Sequence, residues 1–228
     1  MSLSLSHGKT LDVTGYGYTL ADLPALPSEP GGPMPYRTGF DPRLWFAEGL
    51  RGQPLELEIG SGKGTFLVQH ASLLPGVNFI GIEYARAFWK YAADRVRRHQ
   101  LANVRLFYGE AAMFVRGYVP DGCLRQVHIY FPDPWPKTRH HKRRLVQADF
   151  LRELHRVLEP GGAVRLATDH ADYFAWMQDH AGQVGDLFIC ETFEPPRGAG
   201  EGELVGSNFE RKYRREGRPF HALVLRRR

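Results

Sequence analysis

Glu58-Ile59-Gly60-Ser61-Gly62-Lys63-Gly64 decides the fold. The apolar stretch Leu55–Gly60 leading into it reads as a short strand interrupted by Glu56 and Glu58. Lys63–Leu74 after it suits a helix ended by Pro75-Gly76. Glycines between a strand and a helix let the backbone approach a ligand closely. Two nucleotide motifs compete for this loop, and neither fits. A P-loop needs Gly-Lys followed by Ser or Thr, but Gly64 follows Lys63, and Leu57 stands where the first glycine belongs. The dinucleotide fingerprint sets its third glycine five residues after the first, where this chain has Thr65. What remains is E-x-G-x-G-x-G.

The pattern continues outward from the loop. Val77–Glu83 reads as a second strand, and Ala85–His99 as a helix with Trp89, Ala92 and Val96 on one side. Val104–Tyr108 and Gln126–Phe131 are the third and fourth strands. Arg144–Leu158 is expected to be a helix stopped by Pro160-Gly161-Gly162, with Val164–Thr168 a fifth strand and Ala171–Val184 a further helix. Leu187–Phe193 and Phe220–Leu225 are expected to pair as an antiparallel edge. Strands alternating with helices imply an α/β fold: a mostly parallel seven-stranded sheet with helices on both faces. Ligands of such sheets bind beyond the carboxyl ends of the strands. Residues 1–40, with five Pro and six Gly, read as an irregular N-terminal arm; 41–228 read as the folded domain.

E-x-G-x-G-x-G matches the loop of Rossmann-like class I methyltransferases, whose donor is S-adenosylmethionine. That molecule carries an ammonium, a sulfonium and a ribose diol but no phosphate, so carboxylates rather than a phosphate cradle suit it. Glu58, Glu83 and Glu110 fall at three consecutive strand ends, with Glu83 placed for ribose hydroxyls and Glu110 beside an adenine site. Strand four runs into Phe131-Pro132-Asp133-Pro134-Trp135-Pro136-Lys137. Proline fixes its own φ and restricts the residue before it, so Asp133 sits in a rigid turn as a pre-organised charge.

Charge is distributed unevenly. Lys plus Arg is 30 and Asp plus Glu 25, a formal +5. Residues 134–148 carry five basic residues and no acid, and 211–228 carry eight and one acid, so the rest of the chain sums to −7. An acidic body with two basic patches suggests a bound polyanion. His140-His141 lacks the i, i+4 spacing of a helical metal pair, and no acid joins it, so no metal is expected. Cys123 and Cys190, the only cysteines, exclude a disulfide framework and a cysteine zinc site. The longest stretch free of charged residues, Gly64–Ile82, contains Gln69, His70 and Asn78 and is no membrane span. No apolar signal-peptide core opens the chain, so a cytoplasmic location is expected.

Together, Glu58-x-Gly-x-Gly-x-Gly, Gly81-Ile82-Glu83, Phe131-Pro132-Asp133-Pro134-Trp135 with its basic run, Ala167-Thr168-Asp169 and Asn208-Phe209-Glu210 resemble the bacterial tRNA (guanine-N7)-methyltransferases over roughly residues 54–228. Glu110 stands where that family often has Asp, and Ser207 where it has Thr. The resemblance implies methyl transfer from S-adenosylmethionine to N7 of guanine 46 in the tRNA variable loop. It implies a cofactor site of Glu58, Gly60, Gly62, Glu83, Glu110 and Asp133, with Asp133 also catalytic. Lys137, Asp169, Ser207, Asn208, Phe209 and Glu210 are then substrate-binding, and Arg139, His140, His141, Lys142, Arg143 and Arg144 contact RNA. Three other readings stay open: a methyltransferase for another structured RNA, a nicotinamide oxidoreductase, and a silent RNA-binding protein on this fold. Monomer and homodimer are both compatible with the sequence.

Overall fold

Every residue of Leu55–Ile59 is buried, Glu56 and Glu58 included. A strand covered on both faces belongs to a parallel sheet. The computed structural model describes residues 10–26 and 38–228, and the chain divides into two units, Met1–Val119 and Pro120–Arg228.

The first unit holds β1 (Gly17–Tyr18), β2 (Leu55–Ile59), β3 (Asn78–Glu83) and β4 (Val104–Tyr108), paired in the order β1-β4-β3-β2 and all parallel. Its helices are α1 (Thr65–Leu73), α2 (Arg86–Arg98) and α3 (Ala111–Tyr118). α2 buries Trp89, Ala92, Ala93 and Val96 against Leu67, Phe79, Val104 and Leu106. Burying one large apolar side chain of this kind contributes roughly 1.5–3 kcal/mol. The register sets Glu58 opposite Gly81 and Glu83 opposite Tyr108, so these acids lie near the carboxyl edge.

The second unit holds β5 (Leu124–Tyr130), β6 (Leu158–Thr168), β7 (Phe188–Glu191) and β8 (His221–Arg227). β5 runs parallel to β6, and β8 lies antiparallel between β6 and β7. α4 (Ala148–Val157), α5 (Ala171–Gly182) and α6 (Asn208–Arg214) complete it. α4 turns Phe150, Leu151, Leu154 and Val157 inward and leaves Asp149 and Arg152 exposed.

All seven expected strands are present, and the antiparallel edge is β7–β8. Four findings differ from the expectation. The arm was expected to be irregular, yet Gly17–Tyr18 pairs with Leu106–Phe107, while Tyr18 stacks on Trp45 at 4.4 Å between ring centroids. Two residues show no periodicity, so this eighth strand left no trace in the pattern; residues 1–9 and 27–37 of the arm lie outside the described residues. The helix expected from Arg144 begins at Ala148, because Thr138–Arg143 forms a 3-10 turn and Arg144 is extended. Pro160-Gly161-Gly162 lies within β6, accommodated by a register shift against Leu124–Gln126. Finally, α3 and α6 are helices of eight and seven residues that no periodicity announced.

Candidate active site

In the first unit the glycine loop turns sharply out of β2. Gly60 and Gly62 have φ of 79° and 53°, a left-handed backbone in which side chains with a Cβ are disfavoured. A Cβ added at either would meet nothing within 4 Å, so the loop borders open space. Below it, Glu58 is buried, and burial together with the nearby Glu83 charge pushes its carboxyl well above the usual carboxylate range. Its Oε2 and the Oγ of Ser61 are buried without a hydrogen-bond partner among the described residues. Orphaned buried oxygens are costly and rare unless a ligand completes them. An open glycine cradle over an uncompensated carboxylate and hydroxyl fits a cationic, hydroxyl-bearing group such as S-adenosylmethionine.

Glu83 is already engaged. Its Oε2 accepts from the Gly62 amide at 2.8 Å and its Oε1 from the Ala85 amide at 2.7 Å, so it ties the loop to the start of α2. A carboxylate offers about four acceptor positions, which leaves capacity for a diol. Glu110 caps α3, accepting from Ala112 at 2.8 Å and Met113 at 2.6 Å, while its side chain stays exposed.

In the second unit Asp133 is exposed, and its carboxylate has no hydrogen-bond partner among the described residues. It is flanked by two strained aromatics: Phe131 at φ 54° and Trp135 at φ 43°, each immediately before a proline. Left-handed backbone costs a non-glycine residue roughly 1–2 kcal/mol, and such strain concentrates at functional turns. The turn is pinned from beneath by Arg144. This side chain is 1% exposed, donates to the Pro134 carbonyl at 2.9 Å, pairs with Asp172 and lies over the rings of Tyr173 and Trp176.

Arg144 therefore corrects the expectation that it contacts RNA: its charge is consumed holding the Asp133 turn against α5. Arg144→Ala is expected to destabilise the protein by roughly 1–3 kcal/mol, because it leaves the half-buried Pro134 carbonyl unpartnered and empties the buried place of the Arg144 side chain. Thermal melts check this, and an unchanged midpoint would mean that the turn stands without its prop.

The rest of the basic run points outward. Lys137, Arg139, Lys142 and Arg143 are exposed, with the Arg143 guanidinium 5.0 Å above Trp135. His140 and His141 are half-buried and diverge: His140 packs at a steep angle to Trp135 and His141 to Trp176.

Glu210 is fully buried, and its carboxylate gathers the Leu204, Val205 and Gly206 amides and the Arg214 guanidinium. Those donors outweigh burial and hold its pKa below the ordinary carboxylate value. Glu210 thus knits the loop before α6, helped by Glu203, which pairs with Arg211 at 2.6 Å. Ser207 caps α6, accepting from the Glu210 amide at 3.1 Å, and Asn208 is its first residue. Phe209 stacks on Phe131 at 4.8 Å. Asp169, just beyond β6, pairs with Arg218 at 2.8 Å. Sequence reading missed Arg218, since nothing local signals a partner 49 residues away.

Among the described residues no helix is long and apolar enough to cross a membrane. A family model described as "Putative methyltransferase" matches residues 52–223. A tRNA (guanine-N(7)-)-methyltransferase of Alkalilimnicola ehrlichii is 39% identical over 201 residues, 81% of this chain and 84% of that relative. One of Thermus thermophilus is 38% identical over 76% of this chain, which spans 54% of it. Among solved structures, the 16S rRNA methyltransferase KamB aligns with a TM-score of 0.53 at 18% identity, over 80% of this chain and 93% of that one, a likeness of fold. By the span of the family match and the identity and coverage of its relatives, the chain belongs to the tRNA (guanine-N7)-methyltransferase family.

Proposed function

We propose that this protein methylates N7 of a guanine in tRNA, with S-adenosylmethionine as methyl donor, and that the guanine is position 46 of the variable loop. The observation that carries the reading is an exposed Asp133, unpaired among the described residues, in a strained turn running directly into an exposed basic segment. The relatives' activity supplies the reaction type. A nicotinamide enzyme would leave both features unused, and a silent RNA-binding protein would have no need of the uncompensated Glu58.

When bound, the cofactor supplies an electrophilic methyl on a sulfonium. Glu58 would answer its ammonium, Gly60 and Gly62 would let the backbone lie against it, and the free lone pairs of Glu83 would accept from the ribose. Guanine N7 carries an available lone pair, so attack needs no base to remove a proton. The protein must instead align the base and favour the cation formed on methylation. Asp133 is suited to stabilising that cation, because the proline turn and Arg144 fix its charge in position and its carboxylate makes no ion pair among the described residues. Lys137 and Asp169 would hold the nucleotide, and Phe209 would offer a ring face to a base. tRNA as substrate implies work in the cytoplasm.

Arg139, Lys142 and Arg143 are the phosphate contacts in this reading. Replacing all three by Ala should raise the KM for tRNA and leave cofactor affinity unchanged. The slope of log K against log[salt] should flatten by about 0.7–0.9 per lost contact. Filter binding at three salt concentrations checks it; an unaltered slope would move the RNA surface elsewhere.

A further inference from the structure

In the second unit an aromatic ladder leads from the Asp133 turn to a carboxylate. Phe131 stacks on Phe209 at 4.8 Å, Phe209 meets Tyr213 at 4.4 Å, and the Arg218 guanidinium lies 3.8 Å above the Tyr213 ring. From that stacked position Arg218 donates to Asp169 at 2.8 Å. The Asp169 side chain is only 12% exposed, whereas Arg218 is 44% exposed.

A guanidinium is a planar N–C–N fork of N–H donors. The Watson–Crick edge of guanine presents the same fork, N1–H beside the 2-amino group, on a planar ring that stacks on aromatic faces. Adenine has no such fork. We propose, building on the guanine reading above, that Arg218 is an internal surrogate for the target base. It fills the place between the Tyr213 face and the Asp169 carboxylate until guanine displaces it, and Asp169 and Tyr213 thereby select guanine over adenine.

Two further observations support displacement. Arg218 follows Gly217 at φ 71°, on the turn that ends α6, so its side chain hangs from a chain reversal rather than a helix face. A cavity of about 500 Å³ lined by Pro195, Glu203, Leu204, Arg214, Arg218 and Phe220 opens beside it and gives the side chain room to leave.

The test is binding of guanosine 5′-monophosphate and adenosine 5′-monophosphate to the full-length protein, followed by NMR titration. Arg218→Ala should bind the guanine nucleotide about two- to fivefold more tightly than wild type, the scale of removing a competing, partly exposed guanidinium. Adenine nucleotide affinity should not change. Arg218→Gln, which keeps polarity and bulk but not the charged fork, should behave like Arg218→Ala. Unchanged or weaker guanine-nucleotide binding in both variants overturns the proposal and makes Arg218 a phosphate contact or a structural brace. Nucleoside analysis of tRNA treated with the wild-type protein tests the functional reading separately: absence of 7-methylguanosine rejects that reading, while the titrations still decide the surrogate.

Discussion

Asp133→Asn is expected to lower kcat by about a hundredfold or more while the protein melts at its wild-type temperature. The size follows from losing a pre-organised charge opposite a cation that forms only during reaction. The unchanged stability follows from the geometry: the side chain is exposed and makes no hydrogen bond among the described residues, so the amide disturbs no partner. Single-turnover methylation with tRNA in excess separates the chemical step from product release. A variant within about threefold of wild type would reduce Asp133 to a turn residue, and the strain at Phe131 and Trp135 would then need another purpose.

Glu58→Gln should produce opposite effects on binding and on folding. Cofactor affinity should fall by about ten- to a hundredfold, since a hydrogen bond to a charged group is worth roughly 1.5–3 kcal/mol. Stability should rise. The Glu58 carboxyl is raised well above its ordinary 4.5 by burial and by Glu83. The native state therefore binds the proton more tightly than the unfolded chain does. Stability from this group is full below pH 4.5 and declines as pH rises from there toward the folded value. The substituted amide does not titrate, so the variant's advantage should widen over that window. Wild-type cofactor binding should also release a proton, seen as a dependence of calorimetric heat on buffer ionisation enthalpy that the variant lacks. Cofactor affinity equal to wild type would remove Glu58 from the site.

The fold was legible because its signals are local. A glycine loop after a strand, acids at strand ends and prolines around Asp133 announce themselves within a few residues. Glu58 could be named from its motif, but its uncompensated state could not, because burial depends on what covers β2. Arg144 looked like one more member of a basic run. Only the tertiary structure shows Asp172, Tyr173 and the Pro134 carbonyl converging on it. Glu210 shows the same limit: it reads as a site acid in the sequence, and in the fold its carboxylate organises three amides of its own loop. The surface role of Lys137, Arg139, Lys142 and Arg143 was accessible because charge with no apolar periodicity normally faces solvent.

The ion pairs made by residues 211–228 change how the formal charge should be understood. Arg211, Arg214, Arg218 and Arg226, half of the eight basic residues in 211–228, are matched to Glu203, Glu210, Asp169 and Glu191 at 2.5–2.8 Å. The outward field of this segment is thus weaker than its composition suggests. Much of its charge works inward as a fastening, with three of the four carboxylates no more than 16% exposed. Added electrolyte screens exposed attractions first, so salt should weaken the outward grip on RNA well before it loosens these inward pairs.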